Sequence, residues 1–123
     1  MFNVSKIKRS GYIWLPRQLV LENEWYTDGN TIRLYVHCLL RANYQDTDYR
    51  GIKIKRGQLL TSQESLSNEL RLSIQNVRTA LNHLKSTNYL TLDTKGRKYT
   101  LITIVGYDEI LSNKATNETQ AIR

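Results

Sequence analysis

The sequence predicts a mainly α-helical α+β domain with a small antiparallel β-sheet, on three observations. Apolar residues recur at three- and four-residue spacing over residues 61–86, which indicates helix. Short stretches on both sides alternate with period two, which indicates strands. A chain of 123 residues, 40% hydrophobic and 24% charged, suits one globular domain. We expect that domain over residues 11–107, an N-terminal arm over residues 1–10, and a flexible tail or the start of a linker over residues 108–123.

The first predicted element is a short helix over residues 17–23. Pro16 suits its first turn, where the missing N–H has no intrahelical partner to lose. Trp14, Trp25 and Tyr26 bracket this helix, and we interpret them as anchors that pack it onto the body. Stacking on unpaired bases is the less favoured alternative.

The next helix is expected from residue 31 to about residue 43. It is apolar over most of its girth, which is typical of a central buried helix. Its remaining stripe holds Arg33, His37 and Arg41 at four-residue spacing, and we favour a solvated stripe over contact with phosphates. Residues 44–51 are polar and lack the spacing of a calcium loop, so we interpret them as a turn.

Residues 61–86 have the pattern of two helices joined by a tight turn. Thr61 and Glu64 fit a capping box for the first helix, and Ser73 is the expected N-cap of the second. Leu66 and Leu70 share the buried face of the first helix. The apolar seam of the second is Ile74, Val77, Ala80, Leu81 and Leu84. This is the arrangement of a helix-turn-helix, whose second helix enters the major groove of DNA.

The opposite face of the second helix carries side chains that suit DNA. Arginine bonds guanine bidentately, asparagine and glutamine bond adenine, and threonine contacts the thymine methyl group. The residues expected nearest the bases are Gln75, Asn76, Arg78, Thr79 and Asn82. Those expected near phosphates are Ser62, Gln63 and Lys85. For any single one of them the alternative is a plain solvated helix face.

Four segments on either side of the motif are predicted strands. They are residues 52–55, 58–60, 89–93 and 98–105. The last two form a hairpin, or wing, over residues 93–98, whose tip carries Lys95, Arg97 and Lys98. Such a tip would lie along the backbone or minor groove and give register rather than sequence information, and a solvated tip is the alternative. Helix, strand, helix, helix, hairpin is the order of a winged helix-turn-helix.

The net charge of +7 is unevenly distributed. Residues 51–100 hold nine basic and three acidic side chains, a net of +6, whereas residues 1–50 contribute +2 and the last 23 residues −1. The excess therefore lies on the half that contains the motif, as a polyanion-binding surface requires. A basic protein without a nucleic-acid partner is the alternative.

Other classes of function have little support. Cys38 is the single cysteine, so it forms no internal disulfide, and we expect a buried thiol in a reducing, cytoplasmic setting. No signal-peptide core follows the basic N-terminus, and no apolar run is long enough to span a membrane. His37 and His83 lack partners at metal-ligand spacing, and no phosphate loop or nucleophile elbow occurs. The sequence therefore predicts no enzyme, no metal and no cofactor.

A resemblance to a known family is carried by three stretches: GYIWLPRQLVLENEWY, RGIKIKRGQLLTSQESLSNELRLSIQNVRTALNHLKSTNYLTL and KYTLITI. They resemble the N-terminal winged-helix domain of phage replisome organisers and DnaD-like replication initiators, most specifically over residues 54–86. The resemblance implies a domain that binds origin or operator duplex DNA in the bacterial host cytoplasm. In family members this domain often precedes a second domain that recruits the helicase-loading machinery.

Two departures accompany the resemblance. Glycine is common in the family at the position of Arg71, and a left-handed arginine there would cost about 1 kcal/mol relative to glycine. The chain also ends at residue 123 without a recruitment domain, so it is expected to be either an excised DNA-binding domain or a small stand-alone protein.

The function expected is that of the DNA-binding module of a phage or mobile-element replication initiator, acting through helix 73–86 and the wing. The first alternative is a small transcriptional repressor of the same fold. The second is an interaction or self-assembly module of the primosome, a homodimer or higher oligomer, built on residues 1–10 and the edge strand near Ile52.

Overall fold

The computed structural model describes residues 13, 15, 17–22, 24–96 and 98–112. The expectations for residues 1–10, Trp14, Pro16, Arg97 and residues 113–123 lie outside the described residues. The helices are α1 (Arg17–Leu21), α2 (Gly29–Arg41), α3 (Gln63–Leu70), α4 (Ile74–Ser86) and α5 (Tyr107–Ser112), with a 3₁₀ turn at Glu24–Thr27. The strands are β1 (Thr47–Tyr49), β2 (Ile52–Ile54), β3 (Gln58–Thr61), β4 (Leu90–Lys95) and β5 (Tyr99–Ile104). These elements form a small α+β domain, as predicted.

The core is built around α2, which packs against α4. Tyr35 of α2 is fully buried, and its ring meets those of Trp25 and Tyr89 at centroid distances of 5.7 and 5.2 Å. The indole N–H of Trp25 donates a 3.0 Å hydrogen bond to the Thr87 hydroxyl. Trp25 is therefore the anchor that the sequence predicted. Tyr26 is 45% exposed, so its predicted anchoring role is wrong.

Helix α2 begins two residues earlier than expected because Asp28 caps it. The Asp28 carboxylate accepts from the backbone N–H groups of Asn30 and Thr31 and from the Thr31 hydroxyl. A second Asp28 oxygen lies 3.0 Å from Nδ1 of His83 on α4. The cap thus fixes the start of α2 against the C-terminal half of α4, where His83 has the rim position that was expected.

The polar stripe of α2 faces α3 and is not simply solvated as expected. Arg33 donates a 2.7 Å hydrogen bond to the carbonyl of Leu70, the last residue of α3. His37 and Arg41 lie 2.9 and 3.4 Å from the Glu69 carboxylate. The stripe therefore contacts the end of α3, while Arg33 and Arg41 remain exposed to solvent.

The two helices of the central motif are joined by a tight turn. Helix α3 is capped by Ser62, whose hydroxyl accepts from the Ser65 N–H, so the predicted Thr61–Glu64 capping box is wrong. Thr61 is held as the last residue of β3, paired with Thr100 of β5. Strand pairing therefore moves the cap one residue along the chain.

The turn and the second helix follow the prediction more closely. Arg71 ends α3 in the left-handed region, with φ 57° and ψ 46°. Ser73 caps α4 by accepting from the Asn76 N–H at 3.0 Å, as predicted. Val77, Ala80, Leu81 and Leu84 are buried. Ile74 is exposed instead of joining this seam, because it lies at the first turn beyond the cover of α2.

The strands form two antiparallel sheets. Residues 44–51 were expected to be a turn, but β1 lies within them. It pairs with β2, which lies in the strand predicted over residues 52–55, and this hairpin turns at Arg50 and Gly51. The second sheet has the order β3–β5–β4, and its β4–β5 hairpin confirms the predicted hairpin after α4. Gly96, with φ 69°, lies in the turn of this hairpin.

Helix α5 continues the folded part past residue 107, where the sequence analysis ended the domain. Ile110 is buried in the core, and Arg56 donates a 2.6 Å hydrogen bond to the Asp108 carboxylate. Apolar burial and this ion pair therefore hold a segment that was expected to be a tail. Within the described ranges, none of the helices has the length and apolarity needed to cross a bilayer.

Candidate nucleic-acid interface

The outer face of α4 is polar, cationic and free of carboxylates. With about 100° of rotation per residue, Gln75, Arg78, Thr79 and Asn82 lie within one exposed sector opposite the buried seam. Asn76 lies on one flank of this sector. Lys85 lies on the other flank, about 10 Å along the axis from Arg78. All six predicted residues of this helix are thus on or beside one face.

The first helix supports this face directly. The side-chain carbonyl of Gln63 accepts a 2.9 Å hydrogen bond from Nε of Arg78. This hydrogen bond joins the first residue of α3 to the middle of α4 and restrains the Nε end of the guanidinium group. Ser62 is occupied as the cap of α3, and its hydroxyl also lies 3.0 Å from that of Ser65. Gln63 and Arg78 are therefore brought together as one polar unit.

Two other residues of the face have part of their bonding capacity occupied. The Thr79 hydroxyl donates a 3.0 Å hydrogen bond to the carbonyl of Gln75, one turn earlier. That hydroxyl can still accept a hydrogen bond, and the methyl group of Thr79 suits apolar contact with thymine. The Asn76 backbone N–H is bound by the Ser73 cap.

The wing adjoins the start of α3 through the three-stranded sheet. Thr61 of β3 pairs with Thr100 of β5, which in turn pairs with Thr94 of β4. Adjacent strands lie about 4.8 Å apart, so Thr61 and Thr94 are about 10 Å apart across this row. The next pair towards the hairpin tip is Lys95 with Tyr99. Because Ser62 follows Thr61, the N-terminus of α3 lies at the sheet end that carries the wing tip.

The described wing residues are exposed but not equally available. The ammonium group of Lys95 lies 3.0 Å from the Asp93 carboxylate on the same strand. Lys98 is exposed and makes no ion pair with any carboxylate that the structure describes. Arg97 lies outside the described residues. No hydrogen bond between described residues joins Lys95 or Lys98 to α4. The wing adjoins α4 because β4 follows this helix and packs against it, and it adjoins α3 through the sheet.

The local charge is positive because acidic residues are missing from this segment. Residues 70–92 contain Arg71, Arg78 and Lys85 and no Asp or Glu. The nearest acidic residue of the motif, Glu69, is engaged by His37 and Arg41. Glu64 is exposed in the first turn of α3. This segment can therefore attract a polyanion with little internal competition.

The titratable groups with shifted pKa values are structural. Burial raises the pKa of the Cys38 thiol to about 12, and the thiol is free, as predicted. Burial also raises the pKa of Tyr35. The Thr31 hydroxyl lowers the pKa of Asp28. Among residues that the structure describes, no cluster of His, Cys, Asp and Glu side chains could hold a metal ion.

One feature of this end of the molecule was missed by sequence reasoning. The hairpin β1–β2 brings Tyr49 into edge contact with Tyr99, with ring centroids 6.1 Å apart. A polar stretch ending in Tyr-Arg-Gly before the alternating residues 52–55 was the available signal, because Gly51 fits a hairpin turn.

Comparison of the chain with protein-family models, with curated proteins and with solved structures gave no match. The resemblance to phage replisome organisers therefore stays a prediction.

Proposed function

We propose that this domain is a winged helix-turn-helix that binds duplex DNA. Helix α4 enters the major groove, and the β4–β5 hairpin acts as the wing on the flanking backbone. The observation that carries the proposal is the exposed face of α4, which presents glutamine, arginine, threonine and asparagine and no carboxylate. Gln63 of α3 is hydrogen-bonded to the arginine of this face. Such a face matches the donor and acceptor pattern of base edges.

Sequence recognition is assigned to the centre of this face. Gln75, Arg78 and Asn82 can each make a bidentate contact, and each good contact gives about 1–3 kcal/mol of discrimination against the wrong base. The hydrogen bond to Gln63 restrains the Arg78 side chain through Nε and does not use the two terminal nitrogens of the guanidinium. Preorganisation of this kind reduces the side-chain entropy lost on binding.

Position along the duplex is assigned to the rim of the face. Lys85, Lys95 and Lys98 contribute charge, and the half-buried Ser62 hydroxyl would have to exchange the Ser65 hydroxyl for a phosphate oxygen as its acceptor. Contacts of this type set register without reading sequence. Lys95 must exchange Asp93 for a phosphate, so it should contribute less than Lys98 to affinity.

For the biological role we propose a replication initiator of a phage or mobile element, with origin or operator DNA as ligand. The support for this role is the sequence resemblance over residues 11–105. A transcriptional repressor would use the same surface, and only the position of the site relative to promoters or origins separates the two. Recruitment of helicase-loading machinery would require a further domain.

The test compares Arg78→Ala with Gln63→Ala. A preferred duplex is first selected from a random library, and affinities for it and for a scrambled duplex are measured by fluorescence anisotropy. Arg78→Ala should lose about 1–3 kcal/mol on the preferred duplex and much less on the scrambled one. Gln63→Ala removes the same internal hydrogen bond but keeps the guanidinium, so it should lose less. Equal losses on both duplexes would show that Arg78 reads no base.

A second candidate function is self-association, favoured by apolar exposure in a groove beside the wing. Leu40 is 59% exposed and lines an open groove of about 650 Å³ with Tyr49 and Tyr99. A second copy of the chain would be the occupant. Light scattering at micromolar concentration separates the two: a monomer that binds duplex tightly argues against assembly as the main task, whereas a stable dimer that ignores DNA would favour it.

A further inference from the structure

We propose that the hairpin β1–β2 is a second backbone-contacting element beside the wing, with Arg50 at its tip as the phosphate ligand. This inference rests on the proposed DNA-binding function and extends its contact surface to a segment that the helix-turn-helix does not include. The ligand is the phosphate backbone of the duplex that flanks the bases read by α4.

The position of the hairpin follows from one aromatic contact. Tyr49 is the last residue of β1, and its ring meets that of Tyr99 edge-on, at 6.1 Å and 84°. Tyr99 is the first residue of β5 and pairs with Lys95, the last residue of β4. The turn of the hairpin therefore begins directly after Tyr49, and the turn of the wing ends directly before Tyr99. The contact between the two rings brings the two turns together. The two tips lie side by side at one end of the molecule.

The turn is built to present Arg50. Tyr49 pairs with Ile52, which leaves Arg50 and Gly51 as a two-residue turn. Their φ angles of 50° and 83° are both left-handed, as in the type I′ turn whose twist matches that of the strands. Arg50 is exposed there, and its guanidinium carbon lies 5.2 Å from the centre of the Tyr49 ring. A cation–π contact of this kind positions the charge without neutralising it.

The charges at this end favour an anion. Arg50 and Lys53 are exposed and form no ion pair with the carboxylates that the structure describes. Asp48 pairs with Lys53 across the hairpin, and its carboxylate is the local acidic group that would compete with a bound phosphate for these cations. With Lys95 and Lys98 of the wing, the described residues of the two tips include four cations and the two carboxylates of Asp48 and Asp93. An arginine among these cations suits bidentate binding of a phosphate.

The contact is expected to be with backbone and not with bases. Arg50 lies on a hairpin beside the wing, whose tip is assigned to the duplex backbone, and we assign Arg50 to the same backbone. A phosphate contact by Arg50 carries no sequence information. Its loss should therefore weaken all duplexes alike.

The test uses the full chain with Arg50→Asn. This substitution removes the charge and places Asn-Gly at the turn, the pair that type I′ turns prefer, so the hairpin is retained. Affinity for a preferred and a scrambled duplex is measured across salt concentrations. The slope of log affinity against log salt should become shallower by about 0.9 for the lost phosphate contact. The fold loss should be the same on both duplexes.

The matched control is Lys55→Ala, which removes one positive charge at the opposite end of β2, beyond the hairpin. Lys55→Ala should leave the slope of log affinity against log salt unchanged. Arg50→Lys keeps the positive charge, so it should restore most of the slope that Arg50→Asn loses. If the wild-type chain binds with a steep slope but Arg50→Asn and Lys55→Ala behave alike, the hairpin contact is overturned and the proposed function stands. If the wild-type chain binds no duplex at low salt, the proposed function itself fails.

Discussion

Replacing Arg71 by glycine tests the turn on which the whole motif depends. Arg71 adopts φ 57° and ψ 46° between α3 and α4, and its side chain is exposed. The left-handed conformation costs a non-glycine residue about 1–2 kcal/mol. Glycine relieves this strain but loses about 0.5–1 kcal/mol through its greater freedom in the unfolded chain. The net prediction for Arg71→Gly is a stabilisation of about 0.5–1 kcal/mol.

The assay is urea unfolding followed by circular dichroism, with thermal unfolding as a second readout. For a domain of this size we expect a rise in Tm of about 2–5 °C and an unchanged m-value. Arg71→Ala is the matched control, because it loses the same charge but keeps a Cβ in the left-handed conformation. Arg71→Asn should fall between the two, since asparagine tolerates this region. The reasoning is refuted if Arg71→Gly is no more stable than Arg71→Ala.

Three further predictions concern the rest of the fold. Gly57→Ala should destabilise by about 2–4 kcal/mol in urea, because φ is +84° and the new Cβ would lie 2.8 Å from that of Tyr107. Gly96→Ala, with φ +69° and open space around it, should lose only about 1 kcal/mol. Asp28 has a lowered pKa, chiefly through the Thr31 hydroxyl, so its stabilisation is complete above its ordinary pKa of 3.8 and is lost at lower pH. In the Asp28→Asn variant, Tm should therefore depend less on pH below 3.8 than it does in the wild-type chain. Cys38, with a pKa of about 12, should resist thiol reagents at pH 8 until the chain unfolds.

Local patterns in the sequence were enough to find the helices of the motif. Ser73 was recognisable because a hydroxyl residue precedes a run of regularly spaced apolar side chains, and both features act within a few residues. A left-handed Arg71 was suggested only by the resemblance, because glycine is common at that position in the family. The polar face of α4 is visible by the same periodicity, so most of the candidate site could be predicted.

Tertiary contacts decided the features that sequence reasoning missed. Thr61 and Ser62 are equally good caps, and the pairing of Thr61 with Thr100 across 39 positions of sequence selects Ser62. Strand β1 is exposed at all three residues, so it shows no alternation, and the hairpin is held by Tyr99 from a distant strand. The interaction of Glu69 with the polar stripe of α2 likewise requires the relative positions of two helices.

The contribution of Gln63 illustrates the same limit within the site. Its predicted place near the DNA backbone rested on its position at the start of the first helix, whereas the structure shows it bonded to Arg78. These two residues are 15 positions apart and meet only because the turn at Arg71 folds α3 against α4. A residue assigned to phosphates from sequence is thus also a support for the proposed base-reading arginine.

The measurement that tests the central claim most directly is the salt dependence of duplex binding by the full chain. Fluorescence anisotropy is recorded with a labelled duplex and with the same strand unpaired, from about 50 to 200 mM salt. About three to five phosphate contacts predict a slope of about −3 to −5 in log affinity against log salt, with duplex preferred. Absence of duplex binding at the lowest salt, or a slope near zero, would contradict the account and leave the basic face of α4 as a surface for an acidic protein.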